Sequence, residues 1–177
     1  MNVILIGMPG CGKSCMGRAL SKKLNMKLID TDRLIEAKTG KKLQEYIDEN
    51  GIDGFRAVEE ETLLSVVGDG LVISTGGSAV YYDAVMKHFK KLGAVVYLYV
   101  GVDIIKQRLG DFSRRGVVLK PGQTVDGLYA ERTKLYEKYA DIVVNCNGTD
   151  YQSYQASLIE ALSNNSAQKM KKSSNKR

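Results

Sequence analysis

The sequence predicts an α/β fold: a single domain with a five-stranded parallel sheet, helices on both faces and a mobile lid. Two observations carry this prediction. Short runs of apolar, strand-forming residues alternate with longer segments in which apolar residues recur at helical spacing, and this alternation is typical of a parallel sheet covered by helices. The 177 residues show no internal repeat and no linker, so we expect one domain with its own core.

Each predicted strand is a short apolar run that stops at a glycine or a polar residue. The first is NVILIG, and the third is LVIST, which runs directly into a pair of glycines. Runs of this length with so few polar residues are typical of strands buried on both faces. The predicted strands are 2–7, 27–30, 71–75, 94–100 and 141–145.

The predicted helices lie between these strands and show helical periodicity. The first places Met16, Leu20 and Leu24 near one face, and Gly40 and Gly51 end the next two. Predicted helices are 13–24, 31–40, 42–51, 53–68, 79–93, 103–110, 124–140 and 151–162. The stretch 111–123 has no periodicity, and we place the lid there.

Composition and charge exclude several kinds of protein. No apolar run approaches the roughly 20 residues that cross a bilayer, and the N-terminus lacks the basic leader of a signal peptide. Cys11, Cys15 and Cys146 lack the paired spacing of a zinc site. We therefore expect a cytoplasmic protein with reduced thiols, acting as a monomer on a small molecule without a membrane partner.

The net charge of +6 comes mostly from the last fifteen residues. The segment 163–177 contains five lysines and arginines and no acid, so residues 1–162 are close to neutral. A basic, polar segment without aromatic residues is typical of a disordered tail. We predict a disordered tail and no nucleic-acid partner; a nucleic-acid-binding arm is the alternative.

The segment GMPGCGKS at residues 7–14 fits the pattern GxxxxGK[ST] and lies between the first strand and the first helix. In such a phosphate-binding loop (P-loop), backbone N–H groups and the helix N-terminus bind phosphate oxygens. Lys13 is expected to bridge the β- and γ-phosphates, and Ser14 to bind Mg²⁺. The residues expected to bind ATP here are Gly10, Cys11, Gly12, Lys13, Ser14 and Cys15.

Cys11 lies inside this loop, and its side chain has two interpretations. Either the thiol is incidental to phosphate binding, or it is a redox-sensing group whose pKa is lowered by the helix N-terminus.

The chain also lacks the NKxD motif that reads guanine in GTPases, and it is short for a motor protein. The P-loop alone does not separate a kinase from a GTPase or a motor protein, but these two observations argue against a GTPase and a motor protein.

Acidic and basic side chains follow the second strand and occur in a later helix. Asp30 and Asp32 come at a strand end, where parallel sheets bind ligands, and can order Mg²⁺ and accept a hydroxyl proton. Alternatively, Asp32 only caps the next helix. In FRAVE, Arg56 and Glu59 are three residues apart, which suits either a surface ion pair or an arginine oriented to bind an anion.

Together these segments resemble the shikimate kinase family over about residues 1–162. GMPGCGKS, DTD, FRAVE, STGG, an arginine-bearing stretch and ERTKLYEKYAD occur in the family's order. The first motif is shared by many P-loop proteins, whereas the whole set at these separations is much more specific. The resemblance implies a kinase that uses ATP and Mg²⁺ to phosphorylate the 3-hydroxyl of shikimate in aromatic amino acid biosynthesis.

The resemblance also implies how the acceptor is bound. Asp32 matches the aspartate that contacts the shikimate hydroxyls and serves as candidate base. Arg56 and Arg132 match the arginines that hold the shikimate carboxylate, and Glu59 matches the glutamate that positions Arg56. The acceptor-binding residues so implied are Asp32, Arg56, Gly76, Gly77 and Arg132.

On the nucleotide side, the resemblance implies that Asp30 orders Mg²⁺ through water. Arg108 occupies the position of an arginine that stacks on adenine, and Arg115 matches a lid arginine that reaches the transferring phosphate. The catalytic residues so implied are Lys13, Asp32 and Arg115.

The sequence departs from the family at two places. Ser78 stands where the family has a third glycine, and its side chain is expected either to point into the pocket or to cap the next helix. In the lid, Gly116 replaces a proline, and Arg114 competes with Arg115 for the lid's function. Two alternatives follow: a kinase of this fold for another small hydroxylated acid or sugar, or a nucleotide-binding module without catalysis.

Overall fold

The computed structural model describes residues 1–110, 122–148 and 150–174, with residues 168–174 described by their backbone alone. A five-stranded sheet in the order β2-β3-β1-β4-β5 forms the centre, and all of its strand pairs are parallel. The strands are β1 Asn2–Ile6, β2 Lys27–Asp30, β3 Leu71–Ser74, β4 Gly93–Tyr99 and β5 Ile142–Asn145. The predicted five-stranded parallel sheet is confirmed.

Seven α-helices connect and cover these strands within the described residues. They are α1 Lys13–Leu24, α2 Thr31–Thr39, α3 Leu43–Leu64, α4 Asp83–Leu92, α5 Val102–Leu109, α6 Val125–Tyr139 and α7 Tyr151–Ser174, with a 3₁₀ turn at Ala79–Tyr81. The α3 span includes a break at Gly51, where φ is 72°, so the two helices predicted on either side of this glycine are present.

Helices pack on both faces of the sheet. Leu5 and Ser74 face α1, since a methyl group at Gly17 of that helix would contact both side chains. Tyr97 follows the β4 residue paired with Leu5, so it points to the opposite face. There its ring stacks on Tyr136 of α6, with 5.0 Å between ring centres. Burial on both faces explains why the strands read as continuous apolar runs.

The segment predicted as one helix over 79–93 is divided in the structure. Tyr82 adopts an extended backbone (φ −97°, ψ 99°) between the 3₁₀ turn and α4. On the two sides of this break, Tyr81 contacts Arg132 and Tyr82 contacts Glu59. Tertiary contacts therefore override the helical periodicity of this stretch.

The prediction of a disordered tail from residue 163 is wrong up to residue 174, because α7 continues to Ser174. The first part of α7 is held by Leu158 and Leu162, which are buried in the core. Extending an existing helix needs no new nucleation, and Ala, Gln, Lys and Met in the extension are good helix formers. Among the described residues, no helix has both the length and the apolar character to cross a membrane.

Candidate active site

The P-loop connects the buried strand β1 to helix α1, as the sequence predicts. Gly10 and Gly12 have φ of 80° and 102°, a conformation that favours glycine. Lys13, the first residue of α1, is 8% exposed, and its ammonium donates hydrogen bonds to the backbone carbonyls of Gly7 (2.8 Å) and Met8 (2.9 Å). The loop thus holds its lysine close to its own backbone at the edge of a cavity.

The other side chains of the loop differ in their exposure. Ser14 and Cys15 are exposed and line the cavity. Cys11 is buried, and a methyl group at Gly7 would lie 2.8 Å from its sulfur, so its thiol packs inside the protein behind the loop. This burial favours the interpretation in which the Cys11 side chain is incidental to phosphate binding.

Two carboxylates lie where β2 meets α2, and they differ in role. Asp30 is the N-cap of α2, and its Oδ1 accepts a hydrogen bond from the Asp32 backbone N–H at 3.2 Å. The alternative in which Asp32 caps this helix is therefore wrong, and the Asp32 carboxylate faces the cavity. The pKa of Asp32 is raised to about 6, chiefly by burial and next by the charge of Asp30, while the charge of Lys13 opposes the rise.

Glu59 lies in the wall of the cavity with only 1% of its surface exposed. Its Oε1 accepts a hydrogen bond from the Ser78 hydroxyl and its Oε2 one from the Tyr82 hydroxyl, both at 2.6 Å. Arg56, half of whose side chain is exposed, pairs instead with Asp53 at 3.6 Å. The expected direct positioning of Arg56 by Glu59 is therefore absent here, although both side chains line the cavity.

Arg132 comes from α6 and is 4% exposed. Its Nε donates to the Tyr81 hydroxyl at 3.3 Å, and its guanidinium carbon lies 5.3 Å from the centre of the Tyr81 ring. These contacts hold the guanidinium at the cavity wall, where a planar, permanently charged group can bind a carboxylate.

Gly76 and Gly77 lie between these charged groups. A methyl group at Gly76 would lie 2.9 Å from Asp32 Oδ1 and 3.1 Å from Glu59 Oε1, and one at Gly77 would lie 2.9 Å from an Arg132 nitrogen. Neither glycine has a positive φ. Both positions therefore require glycine because side chains approach the backbone closely, and these contacts bring the acidic and basic groups to one place.

Arg108 projects from α5 near the P-loop, outside the cavity lining. Its Nη1 donates to the Gly10 carbonyl at 3.4 Å, and the side chain is exposed. This position beside the phosphate loop is compatible with the predicted adenine contact. Arg114 and Arg115, and with them most of the predicted lid, lie outside the described residues.

A single cavity of about 740 Å³ joins the P-loop to these charged groups. Of the predicted residues, Gly10, Gly12, Lys13, Ser14, Cys15, Asp30, Asp32, Arg56, Gly76, Gly77 and Arg132 line it. Sequence reasoning did not predict Tyr81 and Tyr82 at this site. The tyrosine pair after the glycine pair was the available signal, but helical periodicity made both residues look like parts of the core.

Known proteins resemble the chain over most of its length. The shikimate kinase family model matches residues 9–163.

The chain belongs to the shikimate kinase family.

A shikimate kinase from Halorhodospira halophila is 37% identical over 163 residues, which are 90% of this chain and 92% of that protein. One from Pseudomonas aeruginosa is 38% identical over 165 residues, covering 92% of this chain and 96% of that protein. The structure of the shikimate kinase from Acinetobacter baumannii in complex with shikimate superposes with a TM-score of 0.82 at 30% identity, covering 93% of both chains. The likeness thus extends through the P-loop, the acidic strand end and the arginine of α6.

For a shikimate kinase, the cavity presents suitable groups for Mg²⁺. Ser14 and Asp30 both line it, and Asp30 uses Oδ1 to cap α2. The described residues hold no cluster of three or more His, Cys, Asp or Glu that could bind a metal alone. In kinases, Mg²⁺ is bound mainly by phosphate oxygens and water with one or two protein oxygens, and Ser14 and Asp30 could supply these protein oxygens.

Proposed function

We propose that this shikimate kinase family member transfers the γ-phosphoryl group of ATP to the 3-hydroxyl of shikimate, giving shikimate 3-phosphate and ADP. The observation that carries the proposal is one cavity that is lined both by the P-loop and by Asp32, Arg56 and Arg132. Phosphoryl transfer depends on positioning and charge stabilisation, and this arrangement supplies both.

The two arginines bind the acceptor's carboxylate. Arg132 is buried and held by Tyr81, so little side-chain entropy is lost when an anion binds. Arg56 is more exposed and pairs with an exposed aspartate, so its guanidinium turns from Asp53 to the ligand at small cost in free energy. A fixed and an adaptable arginine together select a carboxylate over a neutral sugar.

Asp32 orients the acceptor hydroxyl and takes its proton. With the pKa of this carboxyl raised to about 6, Asp32 is ionised at neutral pH and still basic enough to accept a proton. The proton moves from the 3-hydroxyl oxygen to a carboxylate oxygen of Asp32 as that hydroxyl oxygen bonds to the γ-phosphorus. The bond between the γ-phosphorus and the β,γ-bridging oxygen breaks at the same time, and ADP leaves with that oxygen.

Lys13 and the P-loop backbone stabilise the transferring phosphate. The Lys13 ammonium exchanges its contacts with the Gly7 and Met8 carbonyls for phosphate oxygens, and the N–H groups at the start of α1 point the same way. Ser14, and Asp30 through water, would hold Mg²⁺, which would supply further positive charge to the phosphates. Arg115 supplies positive charge from the lid, and Arg108 contacts the adenine.

We propose further that the protein acts as a monomer in the cytoplasm. Incubation with ATP, Mg²⁺ and shikimate tests the function. ADP should form in equal amount to a shikimate ester whose NMR spectrum shows phosphorus coupled to the proton on carbon 3. Phosphate on another hydroxyl, or no ester, would contradict the proposal.

A further inference from the structure

Glu59 is a buried carboxylate with no direct ion pair to either arginine of the site. The groups that face it are Asp32 from α2, Arg56 from its own helix, Arg132 from α6, and the hydroxyls of Ser78 and Tyr82. Among the residues that the structure describes, only the two hydroxyls bond to it directly, one on each oxygen. Its position thus depends on residues 19 and 23 positions further along the chain.

A buried carboxylate is stabilised as an anion only where donors satisfy its oxygens. Hydroxyl donors at 2.6 Å are in the range of short, charge-assisted hydrogen bonds. Burial raises the pKa of Glu59, whereas the bonds from Ser78 and Tyr82 and the charges of Arg132 and Arg56 lower it. The two hydroxyls therefore favour the ionised form against the effect of burial.

The local backbone places both hydroxyls on Glu59. Ser78 follows the glycine pair and is the N-cap residue of the 3₁₀ turn, but its side chain makes no hydrogen bond to that turn, so the expected capping by its hydroxyl is absent. Tyr82 is the extended residue that divides the turn from α4. Tyr82, at the break in the predicted helix, and Ser78, in place of the family's third glycine, thus both donate a hydrogen bond to Glu59.

We propose that Ser78 and Tyr82 are positioning residues that hold Glu59 as a fixed anion, whose charge orients Arg56 and Arg132 for the acceptor's carboxylate. This inference rests on the proposed function. In this proposal, the Ser78 hydroxyl donates its hydrogen bond to Glu59 and does not contact the acceptor. The departure at position 78 therefore changes how the glutamate is held, and the acceptor stays the same.

Steady-state kinetics of Ser78→Ala, Tyr82→Phe and the double variant test the proposal. Each single variant should raise the KM for shikimate about tenfold or more, the loss typical of a hydrogen bond to a charged group. The kcat and the KM for ATP should change less than about threefold, since the proposal gives both hydroxyls a contact with Glu59 and none with the nucleotide or the reacting atoms. Ser78→Thr, which keeps the hydroxyl, should restore most of the shikimate affinity.

The pH profile separates positioning from a merely structural role. Without a hydroxyl donor, Glu59 is harder to ionise, so the acid limb of kcat/KM for shikimate should move to higher pH in both variants. Tyr139→Phe is the matched control. The Tyr139 hydroxyl donates a similar hydrogen bond, 2.8 Å long, to Asp83, and neither residue lines the cavity. Its KM and pH profile should match those of the unaltered chain.

Two results would overturn the proposal, and they are distinguishable. In the first, the unaltered chain phosphorylates shikimate, and Ser78→Ala and Tyr82→Phe have the same KM for shikimate and the same acid limb of kcat/KM as the unaltered chain. This result would contradict the inference and leave the proposed function intact. If the unaltered chain does not turn over shikimate at all, the proposed function fails and the inference fails with it.

Discussion

Replacing Asp32 with Asn should stabilise the fold while it removes activity. The Asp32 carboxylate lies partly buried beside Asp30, and its pKa is raised from 3.8 to about 6. The folded protein therefore holds this charge at a cost, whereas the unfolded chain does not. Asparagine keeps the shape of the side chain and lacks the charge, so Asp32→Asn relieves the cost.

The magnitude follows from the difference between the two pKa values. Each pKa unit corresponds to 1.36 kcal/mol, so a rise from 3.8 to about 6 makes ionised Asp32 destabilising by about 3 kcal/mol. For a carboxyl whose pKa is higher when folded, the penalty grows as pH rises from about 4 to about 6 and is constant above. The gain from Asp32→Asn should thus be about 3 kcal/mol at pH 8 and below about 1 kcal/mol at pH 4.

Urea unfolding of both proteins at pH 8 and pH 4, without nucleotide, measures this difference. In parallel, kcat with shikimate at pH 8 should fall by about 10²- to 10⁴-fold, the range for loss of a general base. The account of the Asp32 environment would be refuted if Asp32→Asn were less stable than the unaltered chain at pH 8. It would also be refuted if the substitution changed the free energy of unfolding equally at both pH values. Retention of kcat would remove Asp32 as the base.

Three further variants test other parts of the site. Lys13→Ala should lower kcat by about 10²-fold or more, the loss seen when a transition-state donor is removed, with an unchanged circular dichroism spectrum; near-normal kcat would exclude a phosphate role. Arg56→Ala should raise the KM for shikimate about tenfold or more with little change in the KM for ATP, and an unchanged shikimate KM would place Arg56 outside the site. Gly77→Ala should raise the KM values for both ATP and shikimate. The new methyl would lie 2.8 Å from Pro9 of the P-loop and 2.9 Å from Arg132, so it would displace groups that bind each substrate. Gly127→Ala, which meets only ordinary contact in α6, is its control, and equal KM values in the two variants would contradict the close approach.

Features carried by local sequence could be predicted. The P-loop is one continuous segment with its own spacing, and the strands flanking it are apolar runs that need no tertiary information. Asp30 and Asp32 were placed correctly at a strand end. The choice of Asp30 over Asp32 as the helix cap depends on one backbone hydrogen bond, which the pattern DTD does not distinguish.

Features that depend on distant contacts could not be predicted. Arg56 and Glu59 have the spacing of an ion pair, yet Glu59 bonds to Ser78 and Tyr82, which another strand brings to it. The same contacts break the helix expected over 79–93. In the tail, composition indicated disorder, but the helix nucleated by buried residues of α7 extends through much of it.

The specificity constant for acceptors tests the central claim most directly. ADP release should be measured with ATP and Mg²⁺ over a panel of hydroxy acids and sugars that includes shikimate. We predict a kcat/KM for shikimate about a hundredfold or more above that of any other acceptor, because analogues leave buried charged groups unpaired. Strong turnover of another acceptor without turnover of shikimate, or nucleotide binding without turnover of any acceptor, would contradict the account.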